Sequence, residues 1–422
     1  MIENCKTLAG ILTLCITLQG TASARPPTVV TWPQIEVAAL QMNPQLASAV
    51  DTRDAQDSAY KGSYNGLLPS VSLTNGWTAA SGVNSGWQAQ AGVNVNLFDA
   101  SRIASIKSAA AALDKASAQL WSVSASVRFQ LRQAFLTLLY TQESRDVALT
   151  VADIRARDAE MVSLRFESGS ESLGNKLRAD AQNLQAQEDI AQVSRDLRTT
   201  TRALIAQIGR EEFTEVTATG TLVAAAVPDL PKDDESLLAR RPDVSIQDAS
   251  IKAAKATVSS ARSSIYPSLS LAYNRTTTGA SEFPSSQYGW TAGATLSVPV
   301  FGGGLMSVYH DVKAAQKNLV AAKETMRSVR GQALIDIETA WSNYAKAAAQ
   351  VRVQSSLLEA ARQRNDEADV RYTSGLLTYD NWEIITSDRV NQETQALQAQ
   401  LTAATAQAQW EQALGVRLGE SI

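Results

Sequence analysis

Between Asp99 and Ser168 apolar and small residues recur every three or four positions, as in Ile103, Ile106, Ala110, Leu113, Ser117, Leu120, Ser124, Val127, Leu131, Ala134 and Leu138. Val308, Val312, Ala315, Leu319, Ala322, Met326 and Val329 repeat the spacing inside a second run, Gly303–Ser374. Steps of three and four predict a heptad seam on a helix, with small residues allowing close approach. Each run would extend about 100 Å at the α-helical rise, far longer than a compact core needs. Proline placement agrees. None occurs between Ser70 and Val227, or after Pro299, and proline in a helix interior costs about 3 kcal/mol.

Ahead of each long run the period changes to two. Val71, Leu73 and Trp77 alternate with polar residues. Trp87, Ala89, Ala91, Val93, Val95 and Leu97 alternate with Gln88, Gln90, Gly92, Asn94 and Asn96. Tyr288, Trp290, Ala292, Ala294, Leu296 and Val298 do the same. These are strands of about ten residues with one apolar and one polar face, in hairpins over 70–98 and 268–301. Two architectures fit: hairpins packed on a globular core, or walls of a membrane barrel. In the second, Trp77, Trp87, Tyr288 and Trp290 form an interfacial aromatic band. Four strands cannot close a barrel, since the smallest have about eight. A barrel therefore requires several chains, most simply in a closed ring.

The chain is one unit written twice. Pro44 corresponds to Pro242, Leu68–Leu73 to Tyr266–Leu271, Trp87 to Trp290, Phe98 to Phe301, and Gly209 to Gly415. RFESG (Arg165–Gly169) corresponds to RYTSG (Arg371–Gly375). The expected organisation is a first repeat over 25–209, an inter-repeat segment over 210–235, a second repeat over 236–415, and a tail over 416–422.

Composition removes alternatives. Residues 1–24 read as a secretory signal peptide, with Lys6, an apolar Ile11–Gly20 stretch and the Ala22-Ser-Ala24 cleavage site. Cys5 and Cys15, the two cysteines, both fall inside it, so the exported protein holds no disulfide. No later stretch reaches eighteen consecutive apolar residues, so a membrane crossing would have to be a β-barrel. A net charge of -4 without basic runs gives no footprint for nucleic acid. The single histidine, His310, reads as a polar residue at a helix start; no cofactor or metal site and no catalytic set is expected. Gly302–Gly304 reads as a bend from strand to helix.

The best functional candidates follow the paired pentapeptides. Gly169 and Gly375 each end a long helix and reverse the chain. Beyond them lie Asn175, Asp380, Asn381 and Glu383. These are a solvated tip or, if several chains ring an axis, polar rings that set selectivity.

Taken in order, Ala239-Arg-Arg-Pro-Asp-Val244, Tyr266-Pro-Ser-Leu-Ser-Leu271, Val298-Pro-Val-Phe-Gly-Gly303 and the duplicated aromatic-x-x-Gly resemble the TolC family of outer-membrane efflux and secretion channel proteins. The resemblance implies an α+β membrane channel: long coiled-coil-like helices forming an α-barrel, and four strands per chain contributing to a homotrimeric twelve-stranded barrel in outer-membrane lipid. It implies a belt formed by the inter-repeat segment and the C-terminus. It also implies hairpin tips (Arg165, Phe166, Gly169, Arg371, Tyr372, Gly375) that meet a periplasmic adaptor linked to an inner-membrane pump. Efflux of drugs or metal ions is the expected activity, with type I protein secretion or a pore-less periplasmic scaffold as alternatives. Some members carry Asp six residues after each glycine and Arg two after the second; here those positions are Asn175, Asn381 and Leu377. Asp380 and Glu383 are the substitute aperture residues.

Overall fold

The computed structural model describes residues 28–80, 83–230, 233–279, 287–298 and 305–420. The leader over 1–24 with both cysteines, the loop residues 81–82 and 280–286, and the Gly302–Gly304 bend lie outside the described residues. The elements run β1 (Thr28–Thr31), α1 (Trp32–Met42), α2 (Pro44–Ser63), β2 (Ser70–Ala80), β3 (Val83–Phe98), α3 (Ala100–Glu167) and α4 (Leu173–Ile208). They continue as β4 (Val216–Thr219), α5 (Asp234–Ala239), α6 (Pro242–Ser263), β5 (Ser268–Gly279), β6 (Gln287–Ser297), α7 (Leu305–Thr373) and α8 (Tyr379–Ala413).

The two long helices run 68 and 69 residues, close to the proline-free runs that predict them. Toward the sheet α3 packs against α2 and α6, and α6 packs against α7. Toward the other end α3 packs against α4 and α8, and α8 against α7. At each level the chain is thus a layer of four helices, of which α3 and α7 run its whole length. The seam on α3 holds at Ser124, Val127, Leu131 and Leu138, all buried. Near the sheet it rotates: Ala104 and Ala111 are buried, and Ile103 is 44% exposed. A straight helix drifts about 20° per heptad against a 3.5 repeat, which moves the buried face round by a residue. On α7 only Ala315 of the predicted seam is buried, because α7 is the edge helix of the layer.

At mid-length each half closes on itself in the same way. Gly209 ends α4 at φ +96, and a Cβ there would lie 2.1 Å from the Met42 carbonyl oxygen. Gly415 follows α8 at φ +75, and its Cβ would lie 2.1 Å from the Arg240 carbonyl oxygen. The residue before each proline completes the junction. Asn43 Nδ2 donates to the Gln207 carbonyl at 2.7 Å, and Arg241 Nη1 donates to the Ala413 carbonyl at 2.9 Å. Both cap carbonyls left free at a helix end. That is the physical content of the Asn43-Pro44 and Arg241-Pro242 pair: proline opens one helix while its neighbour closes another.

The segment between the repeats lies against this middle. β4 pairs in parallel with β1, Leu222 is buried, and Trp341 Nε1 donates to the Pro228 carbonyl at 2.9 Å. The C-terminal turn lies on α3, where Trp121 Nε1 donates to the Gly415 carbonyl at 2.7 Å and the Arg417 guanidinium sits 4.0 Å from the Trp121 ring centroid.

The four remaining strands form one antiparallel sheet in the order β2-β3-β5-β6, with β2 and β6 as edges. The register collects Val71, Leu73 and Trp77 with Trp87, Ala91 and Val93 on one face. Leu271, Tyr273, Arg275, Trp290, Ala292 and Ala294 join them. The opposite face carries Ser72, Thr74, Gln88, Gln90, Asn94, Asn274 and Thr291, with Gln90 Nε2 donating to Asn274 Oδ1 at 3.0 Å. The apolar face is open, with Leu73 81% and Trp290 71% exposed. Trp77 and Trp87 meet edge to face at 5.2 Å, and Arg275 lies over Tyr288 at 5.5 Å. These aromatics gather at the end of the sheet remote from the helices. The globular-core alternative fails, since no core covers this face.

Candidate functional site: the helical-hairpin tips

Both pentapeptides end their helices by one geometry. Gly169 and Gly375 have φ of +75 and +77. Ser170 N–H donates to the Arg165 carbonyl at 2.8 Å, and Leu376 N–H donates to the Arg371 carbonyl at 2.8 Å. These six-to-one bonds, with a left-handed glycine, satisfy carbonyls that the helix end would orphan. Ser172 caps α4 by accepting from the Asn175 N–H at 3.2 Å.

The tip has its own apolar cluster of Ala159, Val162, Ala179, Ala368, Tyr372, Tyr379 and Trp382. Tyr372 is fully buried and stacks on Trp382, centroids 4.5 Å apart and planes 9° apart. Its hydroxyl donates to Glu171 Oε2 at 2.8 Å. Arg165 covers its other face at 4.6 Å and donates to its carbonyl at 2.8 Å. Trp382 Nε1 donates to Asp369 Oδ1 at 2.7 Å. The first turn is therefore tied to the end of α7. Burial pushes the Tyr372 phenol above its ordinary pKa, and the Glu171 carboxylate reinforces this. Burial pushes the Glu171 carboxyl up as well, yet the hydrogen bonds from Asn175 and Tyr372 outweigh it and its pKa falls.

The expected residues divide into two groups. Arg371, Gly169, Gly375, Asp380 and Asn381 are exposed, and Phe166 is half-buried with Lys176 over its ring at 5.7 Å. Tyr372, expected as a contact residue on the tip, instead forms the tip's core. Glu383, expected to face an aperture, is 7% exposed. It accepts from Gln182 Nε2 at 2.8 Å and Ser387 Oγ at 2.7 Å, and pairs with Arg178 Nη2 at 3.1 Å. The reason is helical phase: Asp380 and Asn381 point away from α3 and α4, while Trp382 and Glu383 point toward them. Leu377 is half-buried beside the aromatic cluster. Asn175 donates to Glu171 Oε1 at 2.7 Å.

Sequence reasoning missed a buried polar layer one turn above the cluster. Arg155 Nη2 donates to Ser387 Oγ at 2.9 Å and lies 3.7 Å from Asp158. Asp158 Oδ2 is buried without a hydrogen bond. Burial raises the Asp158 pKa to about 7; Arg155 opposes the shift and Asp369 adds to it. Its only sequence signal is a charged residue interrupting the α3 apolar spacing. Among the described residues no His, Cys, Asp and Glu group is arranged to hold a metal ion, and no helix is long and apolar enough to cross a membrane.

The family model described as outer membrane efflux protein matches residues 37–210 and 235–416. The cobalt-zinc-cadmium resistance protein CzcC of Cupriavidus metallidurans is 26% identical over 217 residues, 51% of this chain and 51% of that protein. The solvent efflux pump outer membrane protein SrpC of Pseudomonas putida is 26% identical over 200 residues, 46% of this chain and 42% of that protein. The chain thus spans about half the length of the curated relatives it matches. Solved structures share the fold across most of both chains. CusC aligns with a TM-score of 0.81 at 16% identity, covering 90% of this chain and 91% of that one. The open state of the Neisseria gonorrhoeae MtrE outer membrane channel aligns at 0.77 and 21% identity, covering 90% and 88%. With the model matched in both halves, the chain belongs to the outer membrane efflux protein family.

Proposed function

We propose that three copies of this chain build an exit duct in the outer membrane of a Gram-negative cell. The sheets form a twelve-stranded barrel, and the helices form a tunnel reaching into the periplasm. There the tips meet an adaptor protein linked to an inner-membrane pump, and small molecules such as drugs or metal ions leave through the duct. The protein performs no chemistry on its cargo. The carrying observation is a four-stranded sheet with, among the described residues, two unpaired edges and an apolar face that no core covers. Unpaired edges demand strands from other chains, and an apolar face of this size demands lipid. The metal-resistance and solvent-efflux proteins among its relatives favour small-molecule efflux over protein secretion.

The repeats at 25–209 and 236–415 supply equivalent walls, and 210–235 with 416–422 supplies a belt. At the tip, Arg165 and Tyr372 hold the shape, while Phe166, Gly169, Arg371 and Gly375 offer the adaptor surface. Asp380 and Asn381 border the aperture with Asn175.

The test uses cysteine pairs placed along the β2 and β6 edges of the otherwise cysteine-free exported protein. Disulfide-linked trimers from the outer membrane, with ion conductance in planar bilayers, are expected. A monomer free in the periplasm would overturn the reading. Gene deletion scored for both drug and metal susceptibility and secreted proteins separates efflux from secretion.

A further inference from the structure

Arg275 is the one charged residue in strands β2, β3, β5 and β6. It stands not on the polar face with Gln90, Asn94 and Asn274 but on the apolar one, in a row with Leu73, Ala91 and Trp290. It is exposed there and forms no ion pair among the described residues. An unanswered cation on the lipid side of a barrel strand is destabilising. The register shows which way the side chain leans. Trp290 is the residue directly opposite, yet the guanidinium lies over Tyr288, 5.5 Å from its ring centroid. Tyr288 is one same-face step nearer the end of the sheet remote from the helices. Four residues beyond Arg275, Gly279 is level with Trp87 and so with Trp77. That row is about 14 Å further along the strand, or about 10 Å in depth at the tilt of a barrel.

Resting on the reading of the sheet as a membrane wall, we propose that Arg275 binds the phosphate of an anionic lipid headgroup. The lipid belongs to the leaflet at the end of the barrel remote from the helices. An ion at a membrane face needs a counter-charge, and the four strands hold no carboxylate to supply one. Toward the helices the same face continues as Val71, Val93, Tyr273 and Leu271. An occupant must therefore be apolar along its body and anionic at one end, which is the form of a lipid. The arginine stem lies along apolar surface and lifts its charge toward the headgroups. Tyr288 holds the guanidinium plane, whose fork of N–H donors matches two phosphate oxygens. Arg275 is on β5, an inner strand, so pairing of the β2 and β6 edges with neighbouring copies leaves its site uncovered.

The test is native mass spectrometry of the detergent-purified full-length protein, titrated with dioleoyl phosphatidic acid. Digalactosyl diacylglycerol with the same acyl chains is the uncharged control. Phosphatidic acid is expected to bind in preference, saturating at about one lipid per chain. Arg275→Gln weakens it by about tenfold or more, and Arg275→Lys, which keeps the charge without the fork, weakens it less. Neither substitution changes binding of the control lipid. Arg327→Gln, exposed on α7, leaves both lipids unaffected. Conductance of Arg275→Gln in planar bilayers stays at the parent level, so a lost lipid site and a failed duct give different results. Phosphatidic acid binding Arg275→Gln as tightly as the parent would overturn the proposal. So would displacement of the lipid by inorganic phosphate at equal concentration, which assigns a free anion instead. A gain in lipid affinity on Glu282→Gln would also overturn it, by giving the guanidinium a carboxylate of its own chain.

Discussion

The Tyr372 ring lies flat on Trp382, 4.5 Å away, and its hydroxyl donates to Glu171 on the opposite hairpin turn. One side chain therefore joins the end of α7, the start of α8 and the first turn. Tyr372→Phe keeps the stack and removes a hydrogen bond to a carboxylate, worth about 1.5–3 kcal/mol. Faster hydrogen exchange over residues 165–178 with a smaller fall in melting temperature than Tyr372→Ala is the expected outcome. Tyr372→Ala opens a cavity costing about 3–5 kcal/mol and lowers the melting temperature. Equal exchange in both variants and the parent would remove the tie from the account.

Asp380 and Glu383 separate by experiment because one is exposed and the other buried. Asp380→Asn reduces cation preference in planar bilayers without changing stability. Glu383→Gln acts through structure, leaving Arg155 and Arg178 with one fewer anionic partner. Burial raises the Glu383 pKa, but hydrogen bonds from Ser387 and Gln182 and the charges of Arg178 and Arg155 outweigh it, so the net shift is downward. A depressed carboxylate stabilises above its unfolded pKa and loses that contribution as pH falls through the folded value. Its effect on melting therefore fades in acid, below about pH 4. A selectivity change in Glu383→Gln matching that of Asp380→Asn would contradict this division.

Asp158 has the opposite sign. Its folded pKa of about 7 lies above the ordinary carboxylate value, so the unfolded chain releases the proton first as pH rises. Stability contributed by the protonated form is complete in acid and is lost between about pH 4 and pH 7. The facing groups are Arg155 and Arg157 on α3, Asp369 on α7 and Arg389 on α8. Asp158→Asn, neutral at every pH, raises the melting temperature at pH 8 and leaves it nearly unchanged at pH 4. A rise of equal size at both values would argue against burial of the charge.

Four left-handed glycines give a graded series. Gly169→Ala and Gly375→Ala meet no neighbouring atom within 4 Å, so each costs only the backbone penalty of about 1–2 kcal/mol. Gly209→Ala and Gly415→Ala add a contact of 2.1 Å to a carbonyl oxygen. Each of these should lose more than either tip variant and reduce the yield of assembled protein. Ranking by urea or thermal unfolding checks the order.

Local periodicity determined most of the architecture. Proline exclusion and three-four spacing give α3 and α7, alternation gives the two faces of the sheet, and duplicated glycines mark the turns. Each signal is a property of neighbours in sequence. The tertiary structure alone decided what happens between residues some 200 positions apart. It buried Tyr372 and Glu383, which a polar-tip reading exposes, and gave Asn43 and Arg241 carbonyls to cap on distant helices. Spacing fixes which face of a helix a residue occupies; only packing determines what meets that face.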